Sequence, residues 1–213
     1  MNVELPSSET PLPAVRAFRA DRVPTPRQGG VFTWPAERPW VDLELGCGVG
    51  LHPIQYGQKN PQRHLIAIEH TAAKFESFQR RLAHHPQVRN VTAIHADAVE
   101  WVTHCVPPSS VSRCFILYPN PWPRKGDERR RWYAQPFFGR LLKSLRAGGE
   151  VMLTTNDERY AERATLFFRD VWGLADVTLR SFDEATQPSP RTHFEKKYLE
   201  RGQVCYEVQA KRK

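Results

Sequence analysis

Glu44, Glu69 and Asp97 each close a short apolar run just before the chain turns, and Asn120 follows a fourth, Cys114-Phe115-Ile116-Leu117-Tyr118. Carboxyl ends of parallel strands are where open α/β sheets bind ligands and do chemistry. Between the first two acids lies Gly46-Cys47-Gly48-Val49-Gly50, a turn without side-chain bulk at three alternate positions, which lets a ligand approach the backbone. A dinucleotide site would carry a further glycine where Leu51 stands, so hydride chemistry is disfavoured. Glu69 lies about 20 residues beyond the glycine turn, a spacing suited to a carboxylate that accepts both hydroxyls of a ribose. Asp97 is placed to accept from an exocyclic adenine amine. Three carboxylates on one rim repel a pyrophosphate and attract a cation, and S-adenosylmethionine, with its sulfonium centre, meets that demand. Taken singly, each acid has a plainer reading: a solvated strand end for Glu44, a helix-dipole partner for Glu69, a cap for Asp97.

In Pro119-Asn120-Pro121-Trp122-Pro123 the prolines hold the backbone extended, so the Asn120 amide is presented at a fixed place. Arg124, Lys125, Arg129, Arg130 and Arg131 follow, dense enough to neutralise several phosphates, although Asp127 and Glu128 within the run also fit a solvated helix face. The formal charge of +8 points the same way, toward a polyanionic partner. Trp122 and Phe194 are candidates for stacking on an unpaired base, with Trp122 the better placed.

These residues need a scaffold that brings strand ends together. Val41 to Leu45, His64 to Glu69, Val91 to Ala96, Arg113 to Tyr118 and Glu150 to Thr155 read as strands, with Val177 to Ser181 and Val204 to Lys211 closing the sheet. Between them a helix runs to Lys59, and another, capped by Thr71, carries Ala72, Phe75, Phe78 and Leu82 on one face. Val99 to Cys105 is a short helix, and a stripe of Phe137, Leu141, Leu142 and Leu145 ends at Gly148-Gly149 with Pro136 in its first turn. Asn156 or Asp157 caps the helix bearing Tyr160, Ala164, Phe167 and Phe168, while Thr192 to Gly202 reads as a polar loop. Alternating strands and helices imply an α/β fold with a mainly parallel sheet covered on both faces. Residues 1–38, Pro-rich and carrying Arg16, Arg19, Arg22 and Arg27, form a basic arm, and residues 39–213 form one domain.

Cys47, Cys105, Cys114 and Cys205 have neither zinc-site spacing nor the density of a disulfide scaffold, so reduced thiols in a cytoplasm are expected. His52, His70, His84, His85, His95, His104 and His193 show no metal spacing, and no metal is expected. No apolar stretch approaches the roughly 20 residues of a membrane span, and no secretory leader is read at Met1 to Pro13.

Together these features resemble the tRNA (guanine-N7)-methyltransferase family, over nearly the whole chain. Its glycine loop is similar to Leu43-Glu44-Leu45-Gly46-Cys47-Gly48-Val49-Gly50, and its second-strand signature to Ala67-Ile68-Glu69-His70. More diagnostic are a Pro-Asp-Pro-Trp-Pro-Lys segment, which resembles Pro119 to Arg124, and a Thr-x-Phe-Glu-x-Lys segment, which resembles Thr192 to Lys197. Val15 to Arg19 is similar to the family's N-terminal Arg-Ser-Phe stretch. The resemblance implies a Rossmann-like class I methyltransferase fold with seven strands and an antiparallel C-terminal strand. It implies S-adenosylmethionine held by Glu44, Gly46, Gly48, Gly50, Glu69, His70, Asp97 and Ala98, with Asn120 beside it at the reacting centre. Trp122, Arg124, Asn156, Thr192, His193, Phe194 and Glu195 would contact the substrate, a tRNA. A monomer or weak homodimer is expected.

The chain departs from the family pattern at Asn120 and Asn156, where the family has Asp, and at Arg124, where it has Lys. Guanine N7 carries a free lone pair in the neutral base, so methyl transfer to it needs no prior deprotonation and does not require a carboxylate. A neutral amide removes charge that would favour the purine cation. Two alternatives stay open here: an amino-nitrogen acceptor, as in methyltransferases with Asn-Pro-Pro-aromatic segments, and a non-catalytic RNA-binding paralogue.

Overall fold

Val41, Leu43 and Leu45 alternate with Asp42 and Glu44 in β1 (Val41–Leu45), so one face of the strand is apolar and the other acidic, yet all five residues are buried. Burial of the acids is tolerated because helix α1 (Leu51–Lys59) carries polar partners for them. The computed structural model describes residues 1, 3, 5, 12–26, 33–124 and 126–213. Arg27 and Lys125, counted above among the basic groups, lie outside the described residues.

β1 pairs in parallel with β2 (His64–Glu69) on one side and β4 (Val111–Leu117) on the other. β3 (Val91–His95) flanks β2, β5 (Leu145–Thr155) flanks β4, and β7 (Cys205–Lys211) runs antiparallel between β5 and β6 (Ala175–Phe182). The order across the seven-stranded sheet is β3-β2-β1-β4-β5-β7-β6. Strand order reverses between β1 and β4, which opens a crevice at their carboxyl ends. The glycine turn after β1 and the proline loop after β4 border that crevice.

Adjacent β2 residues show how both faces are filled. Ile66 and Ile68 join Trp101, Phe138, Leu141, Tyr160 and Phe168 in a core with α3 (Ala98–Cys105), α4 (Pro136–Ser144) and α5 (Glu158–Leu166). Leu65 and Ala67 face the other way, into clusters with Ile54, Phe78, Phe115 and Leu199 from α1, α2 (Ala72–Ala83), β4 and α6 (His193–Leu199). The described part of the segment before Trp40 packs on this body. Phe18 meets the edge of Phe137 at 5.9 Å, the Met1 amino group donates to the Ser181 carbonyl at 2.7 Å, and Val3 N–H donates to that of Leu179 at 2.9 Å. Among the described residues no helix is long and apolar enough to cross a membrane.

Three local expectations are corrected and one choice between caps is decided. Leu145 begins β5 and does not extend the α4 stripe, because Ser109 and Ser110 N–H and the Arg212 side chain take the carbonyls at the helix end. Thr71 precedes α2 without a side-chain cap; its N–H donates to Glu69 Oε1 at 2.8 Å. Of the two candidate caps for α5, Asp157 serves, accepting from Tyr160 N–H at 3.0 Å. The expected polar loop contains α6, whose apolar signal is short: in it only Glu195 and Leu199, one turn apart, are buried.

Candidate active site

The glycine turn adopts left-handed backbone at Gly46 (φ 74°), Gly48 (φ 61°) and Gly50 (φ 82°), where other residues are strained. A Cβ added at Gly46 or Gly48 would meet no atom within 4 Å, so both face open space. At Gly50 it would lie 1.9 Å from Phe78 Cδ2, so this glycine accommodates helix α2 and does not bare the backbone to a ligand. That corrects the expectation for Gly50.

Glu69 is buried at the end of β2, where Oε2 accepts from Gly48 N–H at 2.9 Å and Oε1 from Thr71 N–H. It therefore shapes the glycine turn, while each carboxylate oxygen keeps a further lone pair. His70 is exposed, with Nδ1 3.5 Å from Glu69 Oε1. Glu44 is buried and accepts from His52 Nδ1–H at 2.7 Å. Asp97 is exposed; Oδ1 accepts from Val99 and Glu100 N–H and caps α3, which begins at Ala98. Among the described residues Asp97 Oδ2 accepts no hydrogen bond, so the cap uses one carboxylate oxygen and leaves the other open. The three acids line successive strand ends, and two bulkless glycines stand above them. That donor set of acceptor oxygens and open backbone fits a cationic nucleoside ligand such as S-adenosylmethionine and opposes a pyrophosphate.

Across the crevice Asn120 is exposed, and its Oδ1 accepts from Trp122 N–H at 3.1 Å. The side chain is thereby oriented, and among the described residues its amide hydrogens make no hydrogen bond. Tyr118 and Trp122, on either side, have φ of 52° and 47°, a left-handed conformation that side chains with a Cβ adopt at a cost. Arg131, 8% exposed, holds the loop: Nε donates to the Pro121 carbonyl at 3.0 Å, Nη2 to that of Trp122 and Nη1 to Tyr133 Oη. Arg131 is therefore unavailable to phosphates, correcting its place in the basic run. Arg124, Arg129 and Arg130 remain exposed, and the Arg130 guanidinium lies over the half-buried Trp122 ring at 4.7 Å.

Helix α6 flanks the loop. Thr192 Oγ1 caps it by accepting from Glu195 N–H at 2.9 Å, and His193 and Phe194 are exposed. Partial burial of its ring, and then the nearby Arg81 and Lys196 charges, hold His193 below the ordinary histidine range. Phe194 stacks on Tyr198, which leans on Tyr118 at 5.6 Å. Glu195 is fully buried and accepts from Tyr118 Oη and from Arg191, which also binds Glu207. It braces the loop from inside and does not reach a substrate surface, a correction that follows from its inward-facing side. Asn156, at the end of β5, donates to Gln203 Oε1 at 3.3 Å.

His52, Arg131 and Arg191 were not singled out by the sequence as parts of this arrangement. Only the spacing of Asp42 and Glu44 against His52 and Tyr56, two apart on a strand and four apart on a helix, could have flagged the first. Among the described residues no group of His, Cys, Asp or Glu could hold a metal ion.

Residues 38–208 match a family model described as "Putative methyltransferase". The chain is similar to a tRNA (guanine-N(7)-)-methyltransferase of Idiomarina loihiensis, 30% identical over 80% of this chain and 70% of the relative. It is also similar to one of Nitrosococcus oceani, 29% identical over 85% and 74%. The solved 16S rRNA methyltransferase KamB shares the fold, with a TM-score of 0.63 at 17% identity over 84% of this chain and 91% of that one.

Proposed function

The chain belongs to the tRNA (guanine-N7)-methyltransferase family, and on that premise we propose that it transfers a methyl group from S-adenosylmethionine to N7 of a guanine in tRNA. The observation that carries this reading is the crevice where strand order reverses, with acids and open glycines on one side and the Asn120 loop on the other. Bound S-adenosylmethionine supplies a methyl group on a positively charged sulfur. Glu69 and Asp97 would hold its ribose and adenine, Glu44 would favour its positive charge, and Gly46 and Gly48 leave room for its close approach.

N7 brings its own lone pair, so the chain orients its substrate and stabilises charge and needs no general base. Exposed Arg124, Arg129 and Arg130 would take phosphates, and Trp122 and Phe194 offer rings to an unstacked base. The amino-nitrogen alternative fits less well, since one lone pair of the Asn120 oxygen is already spent on Trp122 N–H. Four unpaired cysteines accord with a cytoplasmic protein. The experiment is incubation with methyl-labelled cofactor and bulk tRNA, followed by nucleoside analysis. Label in 7-methylguanosine supports the reading; label on an exocyclic amine, or none in RNA, refutes it.

Asp97→Asn keeps the capping oxygen and replaces the free one with a donor. Cofactor affinity should fall about tenfold, the weight of one hydrogen bond to a charged group, with an unchanged melting temperature. An unaltered dissociation constant would remove Asp97 from the site.

Asn120→Asp preserves the acceptor for Trp122 N–H and adds negative charge where the purine becomes cationic. Single-turnover methylation should rise by about tenfold. An equal or slower rate would mean that charge is not what the natural amide lacks.

Reversing charge at Arg129 and Arg130 should flatten the dependence of log affinity for tRNA on log salt by about one to two. An unchanged slope would place the phosphate path elsewhere.

A further inference from the structure

We infer that His95 is a positioning residue for the ribose of the cofactor, holding the Glu69 carboxylate in place through the peptide group that joins His70 to Thr71. The inference rests on reading the crevice as the S-adenosylmethionine site, with Glu69 at the ribose.

His95 ends β3 as Glu69 ends β2, and the two are partners in the parallel register. Side chains of such partners leave a sheet on the same face. Two positions back, the partners Ala67 and Ala93 pack with Phe78 of α2, so Glu69 and His95 both rise on the α2 side of the rim. The ladder carries on past them, with Ala96 N–H donating to the Glu69 carbonyl at 3.2 Å.

One peptide group lies between the two side chains. Its carbonyl, that of His70, accepts from His95 Nε2–H at 3.2 Å, and its amide, Thr71 N–H, donates to Glu69 Oε1 at 2.8 Å. The C=O and N–H of a trans peptide point in opposite directions, so imidazole, peptide and carboxylate form one donor-to-acceptor series. Each bond in such a series polarises the next, which strengthens the hold on the carboxylate. A carbonyl only accepts, so this series requires the His95 ring to carry a proton on Nε2.

Phe75 fixes the ring. Its N–H donates to the Thr71 carbonyl at 2.9 Å in the first turn of α2, and its own ring stacks on the imidazole at 4.9 Å with the planes 13° apart. His95 thus ties the end of an edge strand to the start of α2. The second Glu69 oxygen accepts from Gly48 N–H at 2.9 Å. The carboxylate is therefore fixed through both oxygens, by the glycine turn and by the turn that His95 braces.

An acceptor fixed beforehand binds a pair of hydroxyls without a further ordering cost. Loss of the His95 donor should loosen the grip on the ribose hydroxyls and leave the rest of the cofactor site as it is.

The test is calorimetric titration of the full chain at about pH 8, where an ordinary histidine is neutral, with S-adenosylmethionine and with an analogue whose ribose lacks both hydroxyls. Wild type should prefer S-adenosylmethionine by at least about tenfold, the weight of a hydrogen bond to a charged group. His95→Phe keeps a ring for Phe75 to stack on and removes the donor, so it should bind S-adenosylmethionine about fivefold more weakly and the analogue with wild-type affinity. His95→Gln offers an N–H at nearly the same reach and should return S-adenosylmethionine affinity to within about twofold of wild type. Equal weakening toward both ligands, wild-type affinity in His95→Phe, or a His95→Gln no better than His95→Phe overturns the inference. Circular dichroism reports whether the variants fold. Independently of them, long-range proton–nitrogen correlation spectra of the wild-type protein should show His95 as the Nε2–H tautomer, and the Nδ1–H tautomer overturns the inference. Wild-type binding of S-adenosylmethionine without preference over the analogue overturns it and leaves the cofactor reading intact. No binding of either ligand by wild type overturns both.

Discussion

Arg191→Leu is expected to lower the unfolding free energy by about 3–5 kcal/mol, the cost of leaving buried charge without its counter-ion. Arg191 binds both Glu195 and Glu207, and both carboxylates are fully enclosed. Burial alone would lower the Arg191 pKa, but hydrogen bonds and charge from Glu195 and Glu207 hold it above the ordinary arginine value. For Glu207, burial would raise the pKa, and Arg180 with Arg191 more than offsets that. A carboxyl held below its unfolded value contributes stability that is present in full at neutral pH and lost as pH falls below the ordinary glutamate range. The variant should therefore lose part of the acid dependence of unfolding as well as stability. Urea denaturation at neutral and acid pH checks both, and an unchanged midpoint would mean the network carries no net stability. Function should follow, because Glu195 also receives the Tyr118 hydroxyl and so braces the strained entry to the Asn120 loop.

Gly50→Ala should be comparably damaging, at about 2–5 kcal/mol. A left-handed conformation costs a residue with a Cβ roughly 1–2 kcal/mol, and overpacking a closed core adds about 1–3 kcal/mol. The clash is with Phe78 of α2, which is fully buried and packed against Ile54, Ala67 and Val88. Gly48→Ala is the comparison: it has the same hand of backbone but open space at the added methyl, so it should lose stability by the backbone amount alone. Equal denaturation midpoints for the two variants would contradict the separate roles given to these glycines.

Much of this arrangement was legible in the chain. Alternation and apolar runs placed the sheet, because strands buried on both faces must be apolar on both, and turn chemistry at Gly46 to Gly50 and Asn60-Pro61 bounded α1 closely. Acids at strand ends were visible as acids, but their direction was not. Glu44 and His52 are eight positions apart and acquire meaning only once β1 and α1 are docked. Arg131 resembled its neighbours in the basic run, although one lies on the surface and the other under the loop, because charge count says nothing of orientation. The resemblance implied a substrate contact at Glu195, yet its carboxylate accepts from Tyr118 just after β4 and shares Arg191 with Glu207 of β7, a burial that only the packed fold supplies. Leu145 fitted a helical stripe and was drawn into β5 by pairing that only the sheet supplies.

A crystal structure of the protein with S-adenosylmethionine or a stable sulfonium analogue tests most directly whether the acidic rim holds that cofactor facing the proline loop. The ligand should lie over Gly46 and Gly48, with its ribose on Glu69, its adenine amine at Asp97 and its sulfur side toward Asn120. A ligand seated elsewhere, or at the rim with its methyl turned away from Asn120, would contradict it.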